Sequence, residues 1–324
     1  MRVVFVHLGH SNPRHLWLNL KRHREIFPDV PVSVVLSNSA HERRIPEGVD
    51  LLPYSRSNRT GLLLNGLAAN AGFRGGFWLL TLERLIALEN AHLTYEDESM
   101  LHVESDVLLM PNFPWMEIAQ EKALMWGQIS ESEDIAAILY SPKPAATSAL
   151  VELIFREATE DPETSDMRAL HAIAARLSGN DFRYIPLGLD QSLINGGIFD
   201  VGSIGMWLSG MDERNSWGRR RFFYSLPHHL VRPEMYKYEL EGDTLWVRSN
   251  TKNFKLFSLH VHSKDLKLFG ASWRSRLEEL VRRSNYQAPK SEFHLIGFLS
   301  NLKEILSDVL SENGLRALRK RLLG

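Results

Sequence analysis

Apolar positions in the first third of the chain alternate between two periods. Val3–Leu8 is a short, β-branched apolar run, the pattern of a strand covered on both faces. His15–Phe27 carries Leu16, Leu20 and Ile26 among polar residues and predicts a helix. Val32–Leu36 predicts a second strand and Leu51–Pro53 a third. In Phe77–Ala91, Leu79, Leu82, Leu85, Ile86 and Leu88 recur near the helical period, and Met100–Val103 follows as a strand. This β-α-β-β-α-β order predicts an α/β layered fold, Rossmann-like, with a mixed, mostly parallel sheet flanked by helices. Further along, helices are expected at about Ala145–Ala158 and Asp166–Leu177, the second capped by Ser165 or Asp166, with a strand from Ile135 to Tyr140 before them. A strand pair is expected at Thr244–Arg248 and Leu256–His262, and a helical end from about Ser291. No internal repeat or long linker interrupts the chain. The expected division is one catalytic domain over 1–285 and a C-terminal helical extension over 286–324.

Composition narrows the chemistry. The 324 residues carry a net charge of -1, which gives no basis for general nucleic-acid binding, since that depends on neutralising phosphates. The chain has no cysteine, so disulfides and thiolate nucleophiles are excluded and a cytoplasmic location is expected. The longest apolar stretch, Phe77 to Leu88, contains Glu83 and Arg84 and is too short and too charged to span a bilayer. The basic segment Gly314–Gly324 is suited at most to weak peripheral contact with an anionic membrane surface.

Two constellations carry candidate chemistry. In Leu101-His102-Val103-Glu104-Ser105-Asp106-Val107, an apolar strand runs into two carboxylates. Ligands of parallel sheets bind beyond the carboxyl ends of strands, and a strand would aim Glu104 and Asp106 to one face. Two converging carboxylates call for a cation, and hard oxygen ligands suit Mg²⁺ or Mn²⁺. The second constellation is Leu259-His260-Val261-His262-Ser263-Lys264. Its imidazoles suit a transition metal and its lysine a phosphate. Position alone leaves open which histidine binds metal, with His262 slightly preferred for its closeness to Lys264. Between the two lies a glycine- and aromatic-rich stretch, Asp190 to Asp212, in which Asp200 is the first acid to test. Its spacing matches neither of the glycine-rich phosphate loops.

The Glu104-Ser105-Asp106 triplet resembles the DxD motif of GT-A glycosyltransferases, in an ExD form. The late His-Ser-Lys is similar to the histidine and lysine of several GT-A families, and Asn195-Gly196-Gly197 to an acceptor-side loop of some retaining members. With the run to Asp212-Glu213-Arg214-Asn215, the pattern looks like a group of bacterial glycosyltransferases. The resemblance implies Asp106 as direct metal ligand, with Glu104 on the ion or the ribose. It implies a histidine (His260 or His262) completing the metal shell, Lys264 on the diphosphate, and Arg84 contacting nucleotide or sugar. His7 and Gly9 end the first strand, where the family holds base and ribose. The expected reaction moves a sugar from a nucleoside diphosphate sugar to a glycan or other hydroxyl acceptor, with Mn²⁺ or Mg²⁺ as cofactor. A nucleotidyltransferase of the same architecture would need a glycine-rich basic loop after the first strand. His10-Ser11-Asn12-Pro13-Arg14 has no glycine and one arginine. The remaining alternative is a non-catalytic sugar-nucleotide-binding or scaffold protein.

Overall fold

The computed structural model describes residues 1–67, 77–177, 179–187, 193–212, 222–223 and 225–285. The first half contains β1 (Arg2–His7), α1 (Arg14–Ile26), β2 (Val32–Leu36), β3 (Val49–Pro53), α2 (Asn58–Gly66), α3 (Phe77–Thr94), β4 (Met100–Val103) and β5 (Val107–Leu109). Next come α4 (Trp115–Ala119), β6 (Leu124–Gln128), β7 (Asp134–Ser141), α5 (Pro144–Glu160), α6 (Asp166–Ala174) and β8 (Phe182–Tyr184). The remainder is β9 (Gly197–Ile198), α7 (Ser203–Ser209), β10 (Lys237–Glu241), β11 (Thr244–Arg248), β12 (Asn253–Leu256), β13 (Ser258–His260), α8 (Leu266–Phe269) and α9 (Trp273–Asn285). The expected extension over 286–324 lies outside the described residues, as do Asp190 and the Glu213-Arg214-Asn215 run.

The central sheet has the order β3-β2-β1-β4-β7-β6-β8. β1, β2, β3 and β4 are mutually parallel, and β6 is parallel to β8. Both β4 and β6 run antiparallel to β7, so β7 alone is reversed. This is the α/β class with a mostly parallel sheet that the alternating pattern predicts. The strands are apolar without a polar face because helices cover both sides. Along β1, Val3 and Phe5 join the core under α1, with Leu16 and Leu20. Val4 and Val6 point the other way, onto Leu82, Leu85 and Leu88 of α3, Leu150 and Ile154 of α5 and Ile173 of α6. Each such side chain stabilises the fold by roughly 1.5–3 kcal/mol.

Two smaller sheets complete the described residues. β10-β11-β12-β9 packs into the α1 side of the core through Tyr238, Leu245, Val247 and Phe254. β13 pairs with β5. The run Leu256–His262, expected as one strand, is two: Leu256 pairs with Leu245, whereas Ser258 pairs with Leu109. The chain changes sheets at the fully buried Phe257. Ser165 caps α6, its side chain accepting from the Arg168 N–H. His171 on α6 donates from Nδ1 to Asp134 Oδ1 at 3.1 Å, which pins this helix to β7.

Candidate metal centre

The acidic triplet lies beyond the carboxyl end of β4, and β5 continues from it. The carboxylates are not on a strand: the Val107 N–H donates to the Glu104 carbonyl at 3.0 Å, closing a turn with Glu104 first and Asp106 third. The turn is held from below by α1. Asn19 Nδ2 donates to the carbonyls of Ser105 (3.2 Å) and Val107 (2.7 Å), and Arg22 donates to that of Leu109 at 2.8 Å. His15 Nε2 meets Ser105 Oγ at 3.0 Å. His15, Asn19 and Arg22 form a polar stripe at helical spacing, a signal that counting only the apolar positions of α1 passes over.

The imidazole arrives through the β5–β13 pairing. The antiparallel register sets His260 opposite Val107, and the Val261 N–H donates to the Asp106 carbonyl at 2.7 Å. His260 Nε2 then lies 3.5 Å from Glu104 Oε2 and 3.5 Å from Asp106 Oδ1. Glu104, Asp106 and His260 each offer a ligand atom, all within 4.8 Å of one another, the one such group found among the described residues. His262 stands outside it. Its ring lies 4.7 Å from that of His260 at an interplanar angle of 30°. The slightly preferred His262 is therefore not part of the group that could hold an ion, whereas His260 is.

Electrostatics follow from this crowding. Burial alone would lower the His260 pKa, but Asp106 and Glu104 outweigh it and raise it to about 9. Burial likewise works against the Asp106 charge, yet His260 and Lys264 hold the carboxyl well below its ordinary value. Glu104 is also lowered, with Arg84 and His260 overcoming burial. His262 is pushed down to about 4 by burial and by the neighbouring His260 charge.

Lys264 sits at the edge, its Nζ 3.6 Å from Asp106 Oδ2 and 3.1 Å from Asp212 Oδ2. Its φ of 52° lies in the left-handed region, which costs a non-glycine residue about 1 kcal/mol and is typical of functional sites. Arg84 on α3 pairs through Nη1 with Glu104 Oε1 and through Nη2 with Asp166 Oδ2, the latter at 3.3 Å. Asp166, expected only at the start of a helix, and Asp212, expected only as part of a motif run, thus lie against the basic side chains of this cluster.

Asp200 is placed differently from expectation. It is 2% exposed, and its two oxygens accept four backbone N–H groups. These are Gly202, Ile204 and Gly205 at the start of α7, and His260, at 2.7–2.9 Å. Its carboxylate is consumed in joining α7 to β13, so it positions His260 and does not face the acids. His260 Nδ1 meets the Val201 carbonyl at 3.1 Å, which fixes the ring with Nε2 toward the carboxylates. At Gly205 an added Cβ would lie 1.8 Å from the His260 carbonyl oxygen, so only glycine permits this approach.

His7 and Gly9 lie at the carboxyl end of β1. His7 Nε2 bonds the Ser11 carbonyl at 2.9 Å, and its ring lies 5.6 Å from that of His41. Gly9 has a φ of 103° and donates to Ser37 Oγ at 2.9 Å. No helix among the described residues is long and apolar enough to cross a membrane.

The triad fits a small divalent cation. Two carboxylate oxygens and one imidazole nitrogen converge, a mixed oxygen and nitrogen donor set that such an ion can accept.

No protein-family model matches the chain, and no curated protein matches it in sequence. Among solved structures, the galactosyltransferase LgtC in complex with donor and acceptor sugar analogues is 14% identical with a TM-score of 0.38. That overlap covers 57% of this chain and 73% of LgtC. The PaToxG glycosyltransferase is 10% identical with a TM-score of 0.35, over 54% of this chain and 68% of that one. A glycosyltransferase involved in glycosylation of the major capsid of PBCV-1 is 10% identical with a TM-score of 0.36, over 56% and 80%. Likeness at this level says nothing of the chemistry, which rests on the side chains of the site.

Proposed function

We propose that this chain is a metal-dependent glycosyltransferase of the GT-A type, acting on a nucleoside diphosphate sugar. One observation carries the reading: Glu104, Asp106 and His260 converge within 4.8 Å at the carboxyl end of a mostly parallel sheet, with the Lys264 ammonium against Asp106. A cation cage beside a positively charged side chain suits a site that accepts a diphosphate.

Asp106, Glu104 and His260 hold the ion, which when bound neutralises charge on the donor's phosphates. Lys264 adds positive charge where the departing diphosphate gathers negative charge, as its bond to the anomeric carbon breaks, the acceptor oxygen bonds to that carbon, and the hydroxyl proton is released to solvent or to the departing diphosphate. Arg84 fixes Glu104, and Asp200 fixes His260. His7 and Gly9, at the end of the neighbouring strand, line the side on which base and ribose would lie.

Release of nucleoside diphosphate from a panel of nucleotide sugars, with and without Mn²⁺, tests the reading. Wild type is expected to turn over at least one donor with Mn²⁺, and Asp106→Ala to lose about 100-fold or more. Wild type that neither binds nucleotide with Mn²⁺ nor hydrolyses any donor would sink it.

A further inference from the structure

The donor atoms of the triad are single, and the structure shows why. Each carboxylate has one oxygen toward His260, Oε2 of Glu104 and Oδ1 of Asp106. The other oxygen of each is taken by a base, Glu104 Oε1 by Arg84 and Asp106 Oδ2 by Lys264. The Arg84 hold is the more rigid. Its guanidinium is forked between Glu104 and Asp166. Asp166 is 3% exposed and sits in the first turn of α6, the helix pinned to β7 through His171 and Asp134. Arg84 is therefore anchored on an element separate from the turn that it restrains.

We infer that Arg84, anchored by Asp166, is a specificity-determining residue for the metal: by occupying Glu104 Oε1 it keeps that carboxylate monodentate and so selects Mn²⁺ over Ca²⁺. This rests on the metal centre proposed above. Ca²⁺ gathers more oxygens, commonly by bidentate carboxylates, whereas smaller ions accept single oxygens in a tighter shell. The imidazole nitrogen of His260 adds to the bias against Ca²⁺. A bare positive charge near the site would act otherwise, weakening every divalent ion by the same factor.

Calorimetric titration of the metal-free protein with Mn²⁺ and, separately, Ca²⁺ tests this without donor or acceptor. Wild type is expected to bind Mn²⁺ tighter than Ca²⁺. In Arg84→Met, the freed Oε1 admits bidentate binding, Ca²⁺ gains more than Mn²⁺, and the affinity ratio falls by about tenfold, as for other outer partners of metal ligands. Arg84→Lys keeps a charged donor on Oε1 and retains most of the ratio. Should Arg84→Met leave Asp166 unpaired and the protein unfolded, Arg84→Met with Asp166→Asn removes both buried charges, and the same fall is expected. If both ions tighten equally, or the ratio stays at the wild-type value, the inference is overturned while the metal centre stands. A wild type that takes up no Mn²⁺ overturns the centre and the inference together.

Discussion

His260 and His262 lie two positions apart, yet their surroundings give them opposite protonation. His260 faces two carboxylates and is raised to about 9, while His262 faces that charge and is lowered to about 4. Their contributions to metal binding should separate for a geometric reason, since His260 Nε2 faces both carboxylates and His262 stands outside that group. His260→Ala is expected to lose most Mn²⁺ affinity, and His262→Ala to stay within about tenfold of wild type, the range of an outer partner. Equal losses in a titration would contradict the assignment. Asp200 makes the complementary case, an acid whose value is structural. Asp200→Asn replaces an oxygen that accepts two backbone N–H groups with an amide that cannot accept. Unfolding in urea should show a loss of about 3 kcal/mol, the range for stranded buried donors. Mn²⁺ affinity should fall as well, because the His260 N–H is one of the four.

Among elements, α7 and β13 form the contact that most directly sets the site. Gly205→Ala pushes a methyl into the His260 carbonyl, so the strand must shift. Stability is expected to drop by about 2 kcal/mol, as in overpacked cores, and Mn²⁺ binding to weaken with it. Retention of both at wild-type levels would show that the contact is not tight. The same scale shows what sequence pattern reveals. β2, β4 and β11 fall at Val32–Leu36, Met100–Val103 and Thr244–Arg248, the predicted bounds, because each is an uninterrupted apolar or alternating run. β6 escaped because Trp126-Gly127 lacks the β-branched signature and the register shifts there. α9 escaped because Arg and Glu surround its three buried residues, Leu277, Leu280 and Val281. At the site, Asp106, Glu104, His260 and Lys264 were legible as residue types at or just beyond strand ends, and Arg84 as a basic residue within a helix. The choice of His260, the recruitment of Asp166 and the spending of Asp200 on backbone were not. Those depend on β5 pairing with β13, and local periodicity carries no information about which distant strand a three-residue strand selects.

For the whole molecule, acid should weaken the fold before it protonates the acids of the site. His23 and His229 are buried and neutral, each pushed down to about 3, first by burial and then by nearby positive charge. The unfolded chain takes up a proton at each near the ordinary value of 6.5. The contribution of these two histidines is thus complete above pH 6.5 and declines as pH falls from there toward 3, by about 1.4 kcal/mol per pH unit for each. Urea midpoints at pH 7 and pH 4.5 should show the decline, and His23→Phe, set among Phe5, Phe27 and Trp115, should make it shallower by removing the His23 contribution. A decline unchanged by His23→Phe would assign it to other groups. The β5–β13 pairing has a consequence on another timescale, that of synthesis. A chain emerging from the ribosome presents Glu104 and Asp106 early, but the imidazole comes only with β13, after most of the protein has been made. With the proposed metal centre, nascent and truncated chains would carry the acids without the cage and compete poorly for a scarce divalent ion. The ion would then reward only the completed fold, adding stability by mass action at the moment β13 docks.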